Sequence, residues 1–248
     1  MKQGFFGGGV IPMILGLCLA FTPALAQTIS IDSTSGGGTG TVNHDVWGNG
    51  TLPDGAFSGY EATVNGNDVN VSGSATVNGS VYGGHAWTGF PATVDNNAVD
   101  ISGASTVNGG VHGGFANTSS GGTVTNNTVA ISNSTVGNTV SGGTAAAVGA
   151  ATADGNTVTI NDSSVDSARG GYAGSSVSGN AAAENNSITV TDSTIDFNVD
   201  GGIAAATDGD ATANNNIVAI TGGTVNSVVS GGMAGTINGD ATATDNAV

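Results

Sequence analysis

Pairs of aspartates recur at a fixed spacing, and they are the residues of this chain whose types and positions could do chemistry together. Asp162 and Asp192 are 30 residues apart, as are Asp166 and Asp196. If residues 30 apart are stacked in the fold, each pair lies about 5 Å apart. Two carboxylates that close repel unless one is protonated or a cation lies between them. Calcium, which takes oxygen ligands, would suit such a site; the alternative is that the four side chains point away into solvent.

The same carboxylate pairs would also suit a polysaccharide-cleaving enzyme, since retaining glycosidases hold two carboxyl groups about 5–5.5 Å apart. Other catalytic chemistry has little support. Beyond residue 26 the chain contains no Cys or Lys, and its serines lie in no nucleophile motif. We therefore expect a protein that is not an enzyme and that has no cofactor, calcium excepted.

The three histidines and seven of the aromatic residues lie between residues 44 and 115. No close His-x-His pattern occurs, and His85 follows a Gly-Gly pair whereas His112 precedes one, so the two are expected to face differently and to bind no metal. The aromatic residues predict either a hydrophobic cap over the first coil or an exposed surface for a glycan or a protein partner. These residues are Trp47, Phe57, Tyr60, Tyr82, Trp87, Phe90 and Phe115.

An internal repeat of 29 or 30 residues determines which elements carry these side chains. Each unit has an Asn followed by alternating Val or Ile, then Thr or Ser before another Val or Ile, then a Gly-Gly pair. The Asn positions are Asn67, Asn97, Asn127, Asn156, Asn186 and Asn216, with Asn246 opening a seventh unit. The Gly-Gly pairs begin at Gly83, Gly113, Gly142, Gly170, Gly201 and Gly231.

The repeat predicts an all-β fold, a parallel β-helix (β-solenoid) of about six 30-residue coils. Stacked strands would bury the alternating apolar residues. The Asn column suits a corner, because Asn tolerates left-handed dihedrals and stacked amides can hydrogen-bond along the axis. Gly-Gly suits a second, tighter corner. A stack of β-hairpins with the same period is the alternative. We place the solenoid at 65–248, truncated in its seventh unit, and an irregular capping repeat at 27–64.

The net charge and the N-terminal residues indicate what the protein does not bind and where it is found. The chain has 18 acidic and two basic residues, Lys2 and Arg169, too few cations to bind nucleic acid. Residues 1–26 have the positive start, short apolar run and Ala-x-Ala exit of a signal peptide, and the run is too short to span a membrane. We expect an exported protein that does not insert into a membrane through this segment.

Units such as TVNGSVYGGHA (residues 76–86) and NNTVAISNSTV (residues 126–136) resemble the Gly-Gly-containing passenger repeats of bacterial autotransporters. The resemblance covers 67–248 and the signal peptide. It implies a right-handed parallel β-helix displayed at a Gram-negative cell surface or released from it, an adhesive or structural role toward a host or neighbouring cell, and a C-terminal β-barrel in the full-length protein. No row of long amphipathic strands is present, so a fragment is expected. An inert spacer is a further alternative.

Overall fold

The computed structural model describes residues 28–32, 41–48 and 63–248. Residues 1–27, which include the expected signal peptide, and residues 33–40 and 49–62 lie outside this range. Within it every regular element is a β-strand. The first strands are β1 (Thr28–Asp32), β2 (Thr41–Val42), β3 (Val46–Trp47), β4 (Thr63–Asn65), β5 (Asp68–Ser72), β6 (Thr76–Val77), β7 (Val81–Thr88) and β8 (Ala92–Asp95). There follow β9 (Ala98–Ile101), β10 (Thr106–Val107), β11 (Val111–Thr118), β12 (Gly122–Thr125), β13 (Thr128–Ser132), β14 (Thr135–Ala147), β15 (Ala151–Asp154), β16 (Thr157–Asn161) and β17 (Ser164–Ser178). The last are β18 (Ala181–Glu184), β19 (Ser187–Thr191), β20 (Thr194–Ile195), β21 (Val199–Asp208), β22 (Ala211–Thr212), β23 (Ile217–Thr221), β24 (Thr224–Val225), β25 (Val229–Asn238) and β26 (Ala241–Thr242).

The strands form three parallel sheets that run the length of a rod. Sheet 1 has the order β1-β5-β9-β13-β16-β19-β23, and sheet 3 has the order β26-β22-β18-β15-β12-β8-β4. The remaining strands make up the 12-stranded sheet 2. The six spacings of about 4.8 Å between its seven strands give sheet 1 a length of roughly 29 Å.

The register matches the repeat. Val129 lies opposite Val99 on one side and Val158 on the other, at separations of 30 and 29 residues. The chain therefore passes through all three sheets once per repeat, making about six turns. The parallel pairing confirms the predicted β-solenoid and excludes a stack of β-hairpins, whose paired strands would be antiparallel.

The first coil begins before the regular repeats. Strand β1 pairs with β5 in register, and β2 and β3 pair with β6 and β7. Val46 is buried at 2% exposure. The described parts of the irregular segment 27–64 thus stack as a further coil.

The interior has two lobes of different width. Val and Ile fill the lobe between sheet 1 and the first half of sheet 2, as at Ile131 and Val140. Ala and Val fill the narrower lobe between the second half of sheet 2 and sheet 3, as at Ala145 and Val124. The small side chains let the walls approach, since a protein interior packs without voids.

A ladder of stacked Asn side chains separates the two lobes. The Nδ2 of Asn97 donates to the Oδ1 of Asn127 at 2.9 Å, and the backbone N–H of Asn97 donates to the same oxygen at 3.0 Å. The pattern continues from Asn67 to Asn246. Asn127, Asn156, Asn186 and Asn216 have no exposed surface, so the ladder is a buried polar column whose amides satisfy one another.

The left-handed corner lies one residue before the ladder. Asn96 and Asn126 have φ of 53° and 54°, whereas the ladder residues are absent from the positive-φ set. Our assignment of left-handed dihedrals to the Asn column is therefore wrong by one position. The ladder selects Asn for its amide, and the preceding residue supplies the corner.

The Gly-Gly pairs do not form a tight turn. Gly113 and Gly114 lie inside β11, both are buried, and neither has a positive φ. Two consecutive buried residues shift the in-out alternation and bend the strand. A Cβ on Gly114 would lie 2.6 Å from the Nδ2 of Asn127. The pair is required because side chains at these positions would collide with the Asn ladder and the neighbouring backbone, and this space requirement corrects the tight-corner interpretation.

A second polar ladder was missed at the sequence level. The backbone N–H groups of Ser105, Ser134 and Ser163 each donate to the Oγ of the serine in the next coil, at 3.1–3.2 Å. Each hydroxyl donates back to a carbonyl two or three residues earlier, as Ser134 does to Ser132 at 2.9 Å. The repeated Ser before Thr-Val was the available signal, since a hydroxyl can stack as an amide does.

Candidate functional site

The bend at each Gly-Gly pair brings two outward columns of side chains together. We call the space between them the Gly-Gly groove. The column before the pair contains Trp47, Tyr82, His112, Ser141, Arg169, Asp200 and Ser230, and the column after it contains His85, Phe115, Thr144, Tyr172, Ile203 and Met233. In a chain dominated by Gly, Ala, Ser, Thr, Asn and Val, this groove holds the one Arg and both Tyr of the described residues.

Aromatic rings fill the N-terminal end of the groove. The Tyr82 ring stacks on His112 and on His85, with centroids 4.9 Å away in both cases. Phe115 packs edge-on against His112 at 5.5 Å, and Trp47 lies 5.5 Å from His85. Such offset and edge-to-face pairs add about 0.5–1.5 kcal/mol each to the burial of the rings. Ring contacts on the outside of the rod therefore add to the stabilisation that core packing gives to neighbouring coils.

Both groove histidines stack on the Tyr82 ring, so the expectation that they face differently is wrong. Because the strand bends at Gly-Gly, the residues before and after the pair converge. Burial lowers the pKa of His112 to about 4, with further lowering by the nearby His85 and Arg169. Burial likewise lowers the pKa of His85, opposed by the charge of Asp45. The cluster is uncharged at neutral pH and has the character of an apolar stack.

The cap interpretation of the aromatic residues does not hold within the described residues. Trp47, Tyr82 and Phe115 line the outside of sheet 2, and Trp87 and Phe90 are 51% and 63% exposed. None of them closes the end of the interior. The alternative, an outward aromatic surface, describes their positions. Phe57 and Tyr60 lie outside the described residues.

The C-terminal half of the groove carries charge. The guanidinium carbon of Arg169 is 6.0 Å from the centroid of the Tyr172 ring, within the range of a cation–π contact. Asp200 lies in register beside Arg169 and is 2% exposed. Burial raises the pKa of Asp200, and the charge of Arg169 opposes that rise. Ser141 and Thr144, joined by a hydrogen bond of 3.0 Å, separate this end from the aromatic end.

Several buried polar atoms on this side of the rod have no hydrogen-bond partner. Four lie in one groove column: Trp47 Nε1, His112 Nδ1, Arg169 Nε and Asp200 Oδ1. Two more, Thr118 Oγ1 and Ser175 Oγ, lie in the inward column of β11 and β17 that also contains the core residues Ala147 and Ala206. Buried polar groups are normally satisfied, so four unpartnered atoms in one column are unusual.

An open cleft adjoins the groove at Tyr172. We call it the Tyr172 cleft; its floor and rims include Ala146, Val148, Tyr172, Gly174, Ala205 and Thr207, with Thr118 and Ser175 also lining it. The Tyr172 ring lies over Gly174 of the same strand. A Cβ at residue 174 would be 2.9 Å from Cε1 and from the hydroxyl oxygen of Tyr172.

The aspartates predicted to hold calcium occupy two separate places. Asp162 and Asp192 are left-handed corner residues, with φ of 48° and 47°, beside a shallow surface depression. Asp166 and Asp196 lie at the start of sheet 2, where Asp196 donates its N–H to the Val165 carbonyl at 3.0 Å. The described residues contain no group of three or more His, Cys, Asp or Glu that could hold a metal. Calcium binding stays a prediction. A calcium-dependent rise in melting temperature that Asp192→Asn abolishes would support it.

Sequence reasoning missed the Tyr172 cleft. Arg169, Tyr172 and Asp200 fall within three residues of a Gly-Gly pair, and they are rare residue types in this chain. That coincidence was the available signal. It could not be used without the bend, because a regular strand would have separated the two columns.

Over the described ranges, no helix has the length and apolar character needed to cross a bilayer. No family model, no curated protein and no solved structure matches the chain.

Proposed function

We propose that the protein is an exported β-solenoid module of the autotransporter-passenger kind, displayed at a Gram-negative cell surface or released from it. Its role is adhesive or structural, toward a host or a neighbouring cell. It performs no catalysis and needs no cofactor. The signal-peptide pattern, the passenger-like repeats and the β-solenoid fold support this proposal.

The observation that carries the proposal is the repetition of outward chemistry along the rod. Thr93, Thr123 and Thr152 stand in register on sheet 3, as do Thr159 and Thr189 on sheet 1. Each column presents the same polar group about every 4.8 Å. Many weak contacts in a row can produce high avidity without one deep site.

The net negative charge limits the classes of partner that the protein could bind. The chain has 18 acidic residues against two basic ones. Nucleic acid and anionic membrane surfaces would be repelled. A glycan or protein on another cell is compatible with this surface.

A cell-adhesion and aggregation assay tests the proposal. The chain displayed on otherwise non-adherent bacteria should increase aggregation or host-cell attachment relative to bacteria without it. No increase in either readout would overturn the adhesive role.

A deletion distinguishes an adhesive face from an inert spacer. Removing residues 127–185 deletes two whole coils and joins Asn126 to Asn186, so that the ladder stays in register. A spacer would tolerate the deletion, whereas an avidity surface should lose attachment in proportion to the coils removed.

A further inference from the structure

We propose that Asn238 is a modification site, at which the side-chain amide is lost spontaneously and the residue becomes aspartate or isoaspartate. The backbone nitrogen of Gly239 attacks Cγ of Asn238. A bond forms between these two atoms, the Cγ–Nδ2 bond breaks, and the amide nitrogen leaves as ammonia, taking the proton of the glycine nitrogen with it. Water, the only co-reactant, then opens the cyclic imide at either of its two carbonyl carbons. The modification does not depend on the adhesive role proposed above.

Asn-Gly pairs are the positions of the chain at which this attack is least hindered. Asn is a thermolabile residue type, and glycine has no Cβ beside its nitrogen and adopts many backbone conformations. The described residues contain four such pairs, which are Asn65–Gly66, Asn78–Gly79, Asn108–Gly109 and Asn238–Gly239. Since the four pairs are chemically alike, their surroundings in the fold decide which of them reacts.

The attacking nitrogen is held by a hydrogen bond in two of the four pairs. The N–H groups of Gly66 and Gly109 donate to backbone carbonyls of adjacent coils, at 3.2 and 3.1 Å. Such a bond must open locally before the nitrogen can react. The N–H groups of Gly79 and Gly239 make no hydrogen bond within the part of the chain that the structure describes. The two pairs that contain them are therefore the candidates.

The amide that must turn toward the nitrogen is held more firmly in Asn78 than in Asn238. The Nδ2 of Asn78 donates to Asn43 Oδ1 at 2.6 Å, and its Oδ1 accepts from Asn108 Nδ2 at 2.8 Å. Both ends of that amide are fixed. The Asn238 side chain makes a single hydrogen bond, from its Nδ2 to Asp208 Oδ1 at 2.7 Å. Asn238 therefore needs the smallest rearrangement to react.

The turn around Asn238 is also open to water. Asn238 and Gly239 are both exposed, and the side chain of Ile237 beside them is 77% exposed. The peptide that joins Asn238 to Gly239 is held through its carbonyl alone, which accepts from the N–H of Gly209 at 2.9 Å. Gly239 has a φ of 152°, a value that glycine adopts readily. Both the attack and the later entry of water are thus accessible at this pair.

The reaction would weaken the pairing of the coils that contain β21 and β25. Asn238 is in register with Asp208, so an aspartate at residue 238 places a carboxylate where an amide now donates, and two carboxylates that close repel. An isoaspartate adds one carbon to the backbone and displaces every later residue. Strand β26, whose Ala241 pairs with Ala211 of β22, follows directly. We expect the modified chain to lose this pairing.

Peptide mass spectrometry of the purified chain, incubated in mildly alkaline buffer, tests the proposal. Heavy-oxygen water labels each new carboxylate, and chromatography separates aspartate from isoaspartate. We expect Asn238 to react about tenfold faster than Asn65 and Asn108, where a hydrogen bond must open first, and Asn78 to react at an intermediate rate. Hydrogen exchange at Ala211, whose N–H donates to the Asp240 carbonyl at 2.9 Å, should be faster in the modified chain.

The same incubation in guanidinium chloride is the matched control, because the unfolded chain presents all four pairs alike. There the four rates should become similar. Asn238→Gln should remove the fastest site and leave the other three rates unchanged. Equal rates at the four pairs of the folded chain, a faster reaction at Asn65 or Asn108, or an Asn238 that stays intact while the unfolded chain reacts would each overturn the proposal.

Discussion

Glycine substitution at two adjacent asparagines distinguishes a hydrogen-bonded ladder from a left-handed corner. Asn126 has a φ of 54°, whereas Asn127 is the buried ladder residue. Glycine adopts positive φ without strain but has no amide. We therefore expect Asn126→Gly to be nearly neutral and Asn127→Gly to be strongly destabilising.

The size of the effect follows from the hydrogen bonds of Asn127. Its Oδ1 accepts from the backbone N–H and the Nδ2 of Asn97, at 3.0 and 2.9 Å. Its Nδ2 donates to Asn156 Oδ1, Val94 O and Thr125 O, at 3.0, 3.1 and 2.8 Å. At about 1 kcal/mol for each buried bond, losing all five lowers the free energy of unfolding by about 4–6 kcal/mol.

The Asn126 side chain makes fewer hydrogen bonds than that of Asn127. Its side chain donates one exposed hydrogen bond, of 3.2 Å, to Asp95, and the easier backbone of glycine offsets that loss. We expect a change within about 1 kcal/mol. Urea denaturation followed by far-UV circular dichroism measures both variants, and hydrogen exchange locates the loss to the coils that meet at residue 127. Equal effects at the two positions, or a harmless Asn127→Gly, would refute the ladder argument.

Three further perturbations test the packing of the coils. His112 has a folded pKa of about 4 against an ordinary 6.5, so between these pH values the unfolded chain binds a proton that the folded chain does not. The free energy of unfolding should therefore fall by about 3 kcal/mol between pH 6.5 and 4. Urea titrations of His112→Phe, in which His85, Tyr82 and Arg169 stay in place, should lack that part of the loss. Gly114→Ala places a Cβ 2.6 Å from the Asn127 amide and should cost about 1–3 kcal/mol, whereas Gly235→Ala, with no atom within 4 Å, should be neutral by thermal melting. Ser134→Ala removes the acceptor of the Ser105 N–H and should cost about 1–2 kcal/mol in the same melts; no loss would show that the second ladder contributes nothing.

The stacking of the coils could be predicted because the repeat constrains every residue type at once. Asn97 and Asn127 share a column, and so do the Val and Ile residues around them, since a shift of one residue would expose an entire apolar row. The roles of the repeated Asn and Gly residues were harder to predict from the sequence. Asn and Gly both favour turns as isolated residues, so composition pointed to corners. The buried amide and the space it needs opposite Gly114 arise only when coils are stacked.

The candidate site was harder to predict for a geometric reason. Arg169 and Tyr172 are three residues apart, and in a regular strand such residues point to opposite faces. Two buried glycines between them shift the alternation, so both side chains lie outside. The position of the Tyr172 ring depends further on Gly174, where a Cβ would meet the ring edge. In sequence, Gly174 resembles every other glycine of this Gly-rich chain.

Distances between nitroxide labels along one outward column test the central claim most directly. Asp100, Ala130, Thr159, Thr189 and Ala219 stand in register on sheet 1. With Cys18 replaced, one label fixed at Ala219 and the second moved to Thr159, Ala130 and then Asp100, EPR should give separations of about 10, 14 and 19 Å, rising by about 4.8 Å for each coil. Separations that do not rise by a constant step, or that exceed these values severalfold, would contradict the stacked 30-residue coil.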